Sequence, residues 1–421
     1  MKQNRFFSAV YIIGTGLAIS MVMTMAVVWH IRMSDIAPEV NRSRSYFTDN
    51  VIYKSKEKGY SSASMFGYRL VRDLLPELKV PERCCASVPP SSMGYLLGGV
   101  FLQTPGGEET LETELRPCDA AFWQVFRLRF MAGAPFTEEE VASGVKRIVL
   151  AESLARRLFG SVEVTGREVL MNYIPYTVAG VVEDVSLTAT DAYAEAWVPY
   201  SSVEQLVETD EQGGSVGGFN PVFVLKKNSD LAALQAELDE AVKRYNTTLT
   251  EGTVSIEPLR SYTERELVRL FRMEAGKTWG ILLGVLLLFL LVPALSLSGL
   301  NASHIQERMD EFGVRKAFGA PRSSLFGQVF WENMLLMLPG GVAGLLFSYV
   351  IVAAYSTVLF SARYTSIDDG SVLLSAGMLL NGQVFLAAFM ACLVLNLLSS
   401  MVPAWRAVRV NIVDALNSKT V

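Results

Sequence analysis

Residues Thr278 to Leu300 read TWGILLGVLLLFLLVPALSLSGL, and the chain continues through Gln306-Glu-Arg-Met-Asp-Glu-Phe-Gly-Val-Arg-Lys-Ala-Phe-Gly-Ala320. The first part has no charge after Lys277 and is long enough to cross a hydrocarbon core of roughly 30 Å as a helix. The second part changes character. Ile305, Met309 and Phe312 recur at i, i+4 and i+7, while Glu307, Arg308, Asp310, Glu311, Arg315 and Lys316 take other positions. That spacing predicts a charged helix with one narrow apolar edge. Gly319-Ala-Pro321 ends it, and Pro321, Ser323 and Ser324 begin another helix leading into the next apolar run.

The composition agrees with a chain divided between lipid and water. It has 421 residues, 51% hydrophobic yet 19% charged, and a formal net charge of −5. Four cysteines are too few for a disulfide framework, and two histidines, His30 and His304 at the edges of apolar runs, make a His-based metal site unexpected.

Phe6 to Trp29 is a second uncharged run, longer than the apolar core of a signal peptide, and reads as an uncleaved first span. Lys2 and Arg5 before it favour a cytoplasmic amino terminus. Further runs lie within 326–360 and 385–401. The expected organisation is therefore a four-helix membrane protein with a large mixed α/β extracytoplasmic domain between helices one and two. The first helix occupies 1–30, the outer domain with stalk helices 31–277, the second helix 278–300, and the cytoplasmic segment 301–325. The third helix follows at 326–360, a short outer segment at 361–382, the fourth helix at 383–402 and a cytoplasmic tail at 403–421. Lys and Arg near the ends of the spans place both termini on the cytoplasmic side.

The outer segment holds 27 Lys and Arg against 35 Asp and Glu, so the acidity belongs to it and the surplus basicity to the rest. Ser45 to Glu77 has helical composition. Thr137 and Glu140 form a capping-box pattern, Arg147 to Ala151 a short strand, Glu152 to Leu158 a helix closed by Phe159-Gly160, and Val169 to Val182 two strands. A strand at Pro221 to Leu225 precedes an amphipathic helix from Asp230 to Tyr245. The glycines of Glu211 to Gly218 read as a flexible loop. Glu264 to Arg272 reads as a charged helix with Leu267, Leu270 and Phe271 on its apolar side, projecting as a stalk beside the continuation of the first span through Ile31, Ile36 and Val40; Pro38 interrupts the latter. A bridge from Cys84 or Cys85 to Cys118 fits an oxidising compartment, as do three free thiols.

Arg308-Met-Asp-Glu-Phe-Gly-Val-Arg-Lys-Ala-Phe-Gly-Ala320 is similar to the segment between the second and third spans of MacB/FtsX-type ABC transporter permeases. Pro403-Ala-Trp-Arg-Ala-Val-Arg409, followed by Val413-Asp-Ala-Leu416, resembles the carboxyl-terminal segment of the same family, although Asn411-Ile412 departs from it. Val149 to Gly160 and Tyr176 to Asp184 resemble its MacB-like periplasmic core domain. The resemblance implies a bacterial inner-membrane permease working with a cytoplasmic ABC ATPase, a second permease copy or paralogue, membrane lipid and a periplasmic adaptor. Nucleic acid is not among these partners. Arg308, Met309, Glu311, Phe312, Gly313, Val314, Arg315, Lys316, Ala317 and Gly319 would form the ATPase-coupling helix.

The sequence contains no G-x-x-x-x-G-K-[ST] phosphate loop and no catalytic constellation. This chain is accordingly expected to bind no cofactor and to carry no catalytic or metal site, with ATP and Mg held by the separate ATPase. The leading expectation is export or extraction of a substrate, driven by movement transmitted to the outer domain. The alternative is a non-transporting regulator of a cell-wall hydrolase or signalling partner.

Overall fold

The computed structural model describes residues 5–48, 50–56, 59–208, 214–271, 279–281, 283–285, 287–288, 291, 299, 311, 314–315, 317–360 and 382–409. It divides into two compact units: 33–275 with 360–373, and the remainder of the chain.

The outer unit is built on a mixed sheet whose middle runs Arg83–Ser87, Leu115–Cys118, Ala196–Pro199, Arg147–Ala151 and Ile174–Val182. Two neighbouring pairs are parallel, Leu115–Cys118 with Ala196–Pro199 and Arg147–Ala151 with Ile174–Val182; most other pairings are antiparallel. The central strands have near-continuous apolar sequences because both faces are covered. Ile148, Val149, Leu150, Val178, Val181, Val182 and Val198 are fully buried. Trp197 lies at the centre of this core, its ring centroid 6.2 Å from that of Trp123. A smaller sheet has the order Val216–Gly217, Ser61–Phe66, Val51–Ser55, Gly252–Ile256.

Several local expectations are met. Thr137 Oγ1 accepts from Glu140 N at 3.3 Å while Glu140 Oε2 accepts from Thr137 N at 3.0 Å, completing the capping box. Gly160 closes the helix Glu152–Phe159 at φ 71°, where a residue without a Cβ is favoured. The helix Leu231–Thr248 buries Leu234, Leu238 and Val242 at helical spacing.

Two expectations are corrected. The first part of Ser45 to Glu77 is strand, not helix: Ser45–Phe47, Val51–Ser55 and Ser61–Phe66 precede the short helix Tyr68–Asp73. Val51-Ile-Tyr53 supplies the β-branched and aromatic content, and alternate burial at Val51 and Tyr53 outweighs the helix-compatible charges around it. The described end of the glycine-rich run is also ordered by pairing. Val216–Gly217 joins Met65 and Phe66 as a strand, and the carbonyls of Gly214 and Ser215 accept from Arg69 N and Gly67 N.

In the other unit, Ile12–Met33 and Ser323–Ala354 are long and apolar enough to cross a membrane, and Gly382–Val394 is a shorter apolar stretch. The corresponding helices run Arg5–Met33, Arg322–Ala354 and Gly382–Arg409. Much of 278–300 lies outside the described residues, as does 361–381. The final helix continues through Pro403 to Arg409. Small residues bring these helices together: a Cβ on Gly344 would lie 2.7 Å from Gly16 O, and one on Gly16 3.3 Å from Gly340 O.

Candidate functional site

Two sets of residues form candidate sites, one in each unit. In the first, only part of the expected coupling helix is described: Glu311, Val314, Arg315, Ala317 and Gly319, whereas Arg308, Met309, Phe312, Gly313 and Lys316 lie outside. Arg315 Nη2 donates to Glu311 Oε1 at 2.6 Å, and Arg315 Nη1 to Gln328 Oε1. The i,i+4 pair with Glu311 stays within the segment, and the bond to Gln328 ties it to the beginning of the helix Arg322–Ala354. Phe318 N donates to Val314 O, and Gly319 then takes φ +84° ahead of Pro321, the N-cap of that helix. Val314 and Phe318 stand four residues apart, and Phe318 is 89% exposed. Phe318 belongs to the quoted motif but not to the expected contact set; its i+4 relation to Val314 is the available sequence signal.

The second set was not expected. The helix Tyr262–Phe271 is the last described element of the outer unit before the apolar run beginning at Thr278. Its buried side mixes charged and apolar residues: Tyr262, Arg265, Glu266 and Leu267 are all buried, whereas Leu270 is 43% exposed. The projecting stalk expected here is therefore corrected to a helix seated in the outer unit. The first helix likewise ends at Met33, earlier than a continuation through Ile36 and Val40 requires.

The seat is a buried ion network. Glu39 Oε1 accepts from the backbone N–H groups of Asp191 and Ala192 at 2.7 and 3.1 Å, and Glu39 Oε2 accepts from Arg42 Nε at 2.7 Å and Tyr262 Oη at 3.4 Å. Arg42 also donates to Ser34 O and Thr188 O, each at 3.0 Å. Arg265 pairs with Asp191 Oδ2, and its guanidinium carbon lies 3.3 Å from the Phe47 ring centroid. Arg269 donates to Glu266 Oε1 at 2.6 Å and Thr190 Oγ1 at 3.1 Å. The segment where the chain enters the unit and the helix where it leaves thus grip one loop, residues 186–193.

Electrostatics keeps Asp191 and Arg42 charged. Burial opposes the charge on Asp191, but Arg265 and Arg269 prevail and hold its carboxyl below the ordinary value. Burial likewise opposes the charge on Arg42, and Glu39 outweighs it, raising the guanidinium pKa. Arg116 differs. Burial lowers its pKa, and its hydrogen bonds go to Tyr193 O, Ser87 Oγ and Thr190 O, all neutral acceptors.

Cys84, Cys85 and Cys118 are free thiols in the structure, so the bridge considered from sequence is absent. Cys118 stands opposite Ser87, which sets Cys85 diagonally across the strand pair, at a Cα separation of roughly 7–8 Å, beyond the usual disulfide range. Burial, with the Asp119 charge adding to it, raises all three thiol pKa values well above the ordinary 9.0. Among the described residues no group of three or more His, Cys, Asp or Glu is placed to hold a metal ion.

Residues 8–241 match the MacB-like periplasmic core domain, and residues 279–412 match the FtsX-like permease C-terminal domain. The chain is 25% identical over 419 residues to "Macrolide export ATP-binding/permease protein MacB 1" of Yersinia pestis bv. Antiqua (strain Antiqua), covering 99% of this chain and 59% of that protein. It is 23% identical over 435 residues to "Pyoverdine export ATP-binding/permease protein PvdT" of Pseudomonas aeruginosa, covering 99% of this chain and 57% of that protein. The chain therefore spans under two thirds of the length of these curated relatives. The periplasmic region of MacB from Actinobacillus actinomycetemcomitans is similar at a TM-score of 0.36 and 16% identity, covering 53% of this chain and 92% of that one. With its core-domain match covering more than half of the sequence and the permease match following it, the chain belongs to the MacB/FtsX-type ABC transporter permeases.

Proposed function

We propose that this chain is the permease subunit of a transporter in which a separate cytoplasmic ABC ATPase drives movement of the outer unit, exporting or extracting a substrate. Four spans carry the movement, with 278–300 the second and 383–402 the fourth. ATP and Mg belong to the partner. The working unit contains two permease copies, identical or paralogous, in the bacterial inner membrane with both termini cytoplasmic, joined by a periplasmic adaptor. The names of the two curated relatives speak of export, which favours transport over the purely regulatory alternative.

The observation that carries this reading is the buried network of Glu39, Arg42, Asp191, Tyr262, Arg265 and Arg269. Buried charge pairs have short-range geometric requirements and are costly to separate. Displacement of either membrane-linked segment is therefore resisted by the same loop instead of being absorbed in slack chain. The segment Arg308 to Gly319 serves as the ATPase contact: its apolar residues enter a groove, while Glu311, Arg315 and Lys316 set register at the rim.

The test is co-purification and ATPase activity of the complex, comparing wild type with Phe312→Asp and Gly313→Trp. Loss of the ATPase, or of coupled hydrolysis, is expected in both variants. Recruitment and hydrolysis equal to wild type would reject the segment as the coupling element.

A further inference from the structure

A cavity of about 420 Å³ opens beside the ion network in the outer unit, within the size range of small-ligand sites. Its charged wall contains Arg116, Arg265, Arg269 and Asp191; Pro90, Leu187 and Val268 contribute an apolar wall. Cations outnumber anions even when Glu266, the partner of Arg269, is included. Arg116 is 1% exposed and gives its hydrogen bonds to neutral oxygens. Arg265 is 7% exposed, and its Nε has no hydrogen-bond partner among the described residues. Buried cationic donors with incomplete compensation favour an anion, and the adjoining apolar wall favours a hydrocarbon attached to it.

We propose that this cavity binds a small organic anion, a carboxylate or phosphate monoester bearing a short apolar chain. The guanidinium groups receive the anionic head, and the chain lies toward Leu187 and Val268. Arg265, Val268 and Arg269 all come from the helix Tyr262–Phe271, so an occupied cavity also braces the element through which the chain leaves the unit. This binding site is independent of the transport reading.

The experiment is calorimetric titration of the full chain in lipid nanodiscs with hexyl phosphate, hexanoate and hexanol, none of which requires a partner protein. Saturable binding of hexyl phosphate or hexanoate is expected, and whichever binds defines the head group; hexanol gives no saturable heat. Val268→Trp fills the cavity and abolishes binding. Arg269→Gln weakens it about tenfold, the loss expected for one charge-assisted contact. Arg269 is half-buried, so this second variant keeps the test decisive if Val268→Trp does not fold. Absence of saturable anion binding, equal binding of hexanol, or anion binding unchanged in a folded variant would overturn the proposal.

Discussion

Asp191 joins the three elements of the network, because its side chain pairs with Arg265 while its backbone N–H donates to Glu39. It is 5% exposed, and Asp191→Asn leaves Arg265 buried without its carboxylate. The expected cost at pH 7 is about 3–5 kcal/mol of outer-unit stability, read by denaturant unfolding of the full chain followed through tryptophan fluorescence. The pH dependence has a definite sign. A carboxyl held below its ordinary 3.8 stabilises the fold fully above that value and loses its contribution as pH falls through the lower folded value. The difference between wild type and Asp191→Asn is therefore expected to narrow below pH 3.8 and to remain constant from pH 5 to 7. A difference that widened in acid would contradict the charged pairing.

At the scale of elements, readings based on neighbouring residues fared best. The Thr137–Glu140 cap, the glycine-closed helix Glu152–Phe159 and the helix Leu231–Thr248 need only residues a few positions apart, and all were legible. On the helix Tyr262–Phe271 the expected apolar side is buried at Leu267 and exposed at Leu270, and the burial of Arg265 and Glu266 was not foreseen. Arg265 is buried because Asp191, 74 residues away in sequence, and Phe47 receive it, and no periodicity encodes a partner at that distance. Ser45 to Phe66 was misread for a related reason: pairing with Gly252–Ile256 and Asn220–Val224 outweighs local helical composition, which holds only at Tyr68–Asp73. In the membrane unit Gly340 and Gly344 approach Gly16, a partner far away in the chain that no local pattern names. Gly344→Leu places its side chain against Gly16 O and Ile19. It is expected to separate the helices Arg5–Met33 and Arg322–Ala354, reducing disulfide crosslinking between cysteines introduced at Gly16 and Ala343 at least severalfold. Undiminished crosslinking would show that this approach is not a close packing contact.

Across the whole molecule, coupling needs a route from a cytoplasmic partner to an outer unit with its own core. The route proposed here runs along the chain from the segment Arg308 to Gly319, through 278–300, to the helix Tyr262–Phe271 and the loop at Asp191. Its described outer end is held by buried donors and acceptors, which lose more when separated than surface pairs do. The family resemblance was legible from motifs distributed over nearly the whole chain. The ion network in the outer unit was not, because its residues come from 39–47, 186–193 and 262–269 and carry no local signature.

The most direct test is hydrogen exchange of residues 262–271 in the complex with its ATPase, measured without nucleotide and with a non-hydrolysable ATP analogue. The account predicts that nucleotide changes exchange across this helix in wild type and that Phe312→Asp eliminates the change. Equal exchange in the two nucleotide states of a wild-type complex that binds the analogue would contradict it.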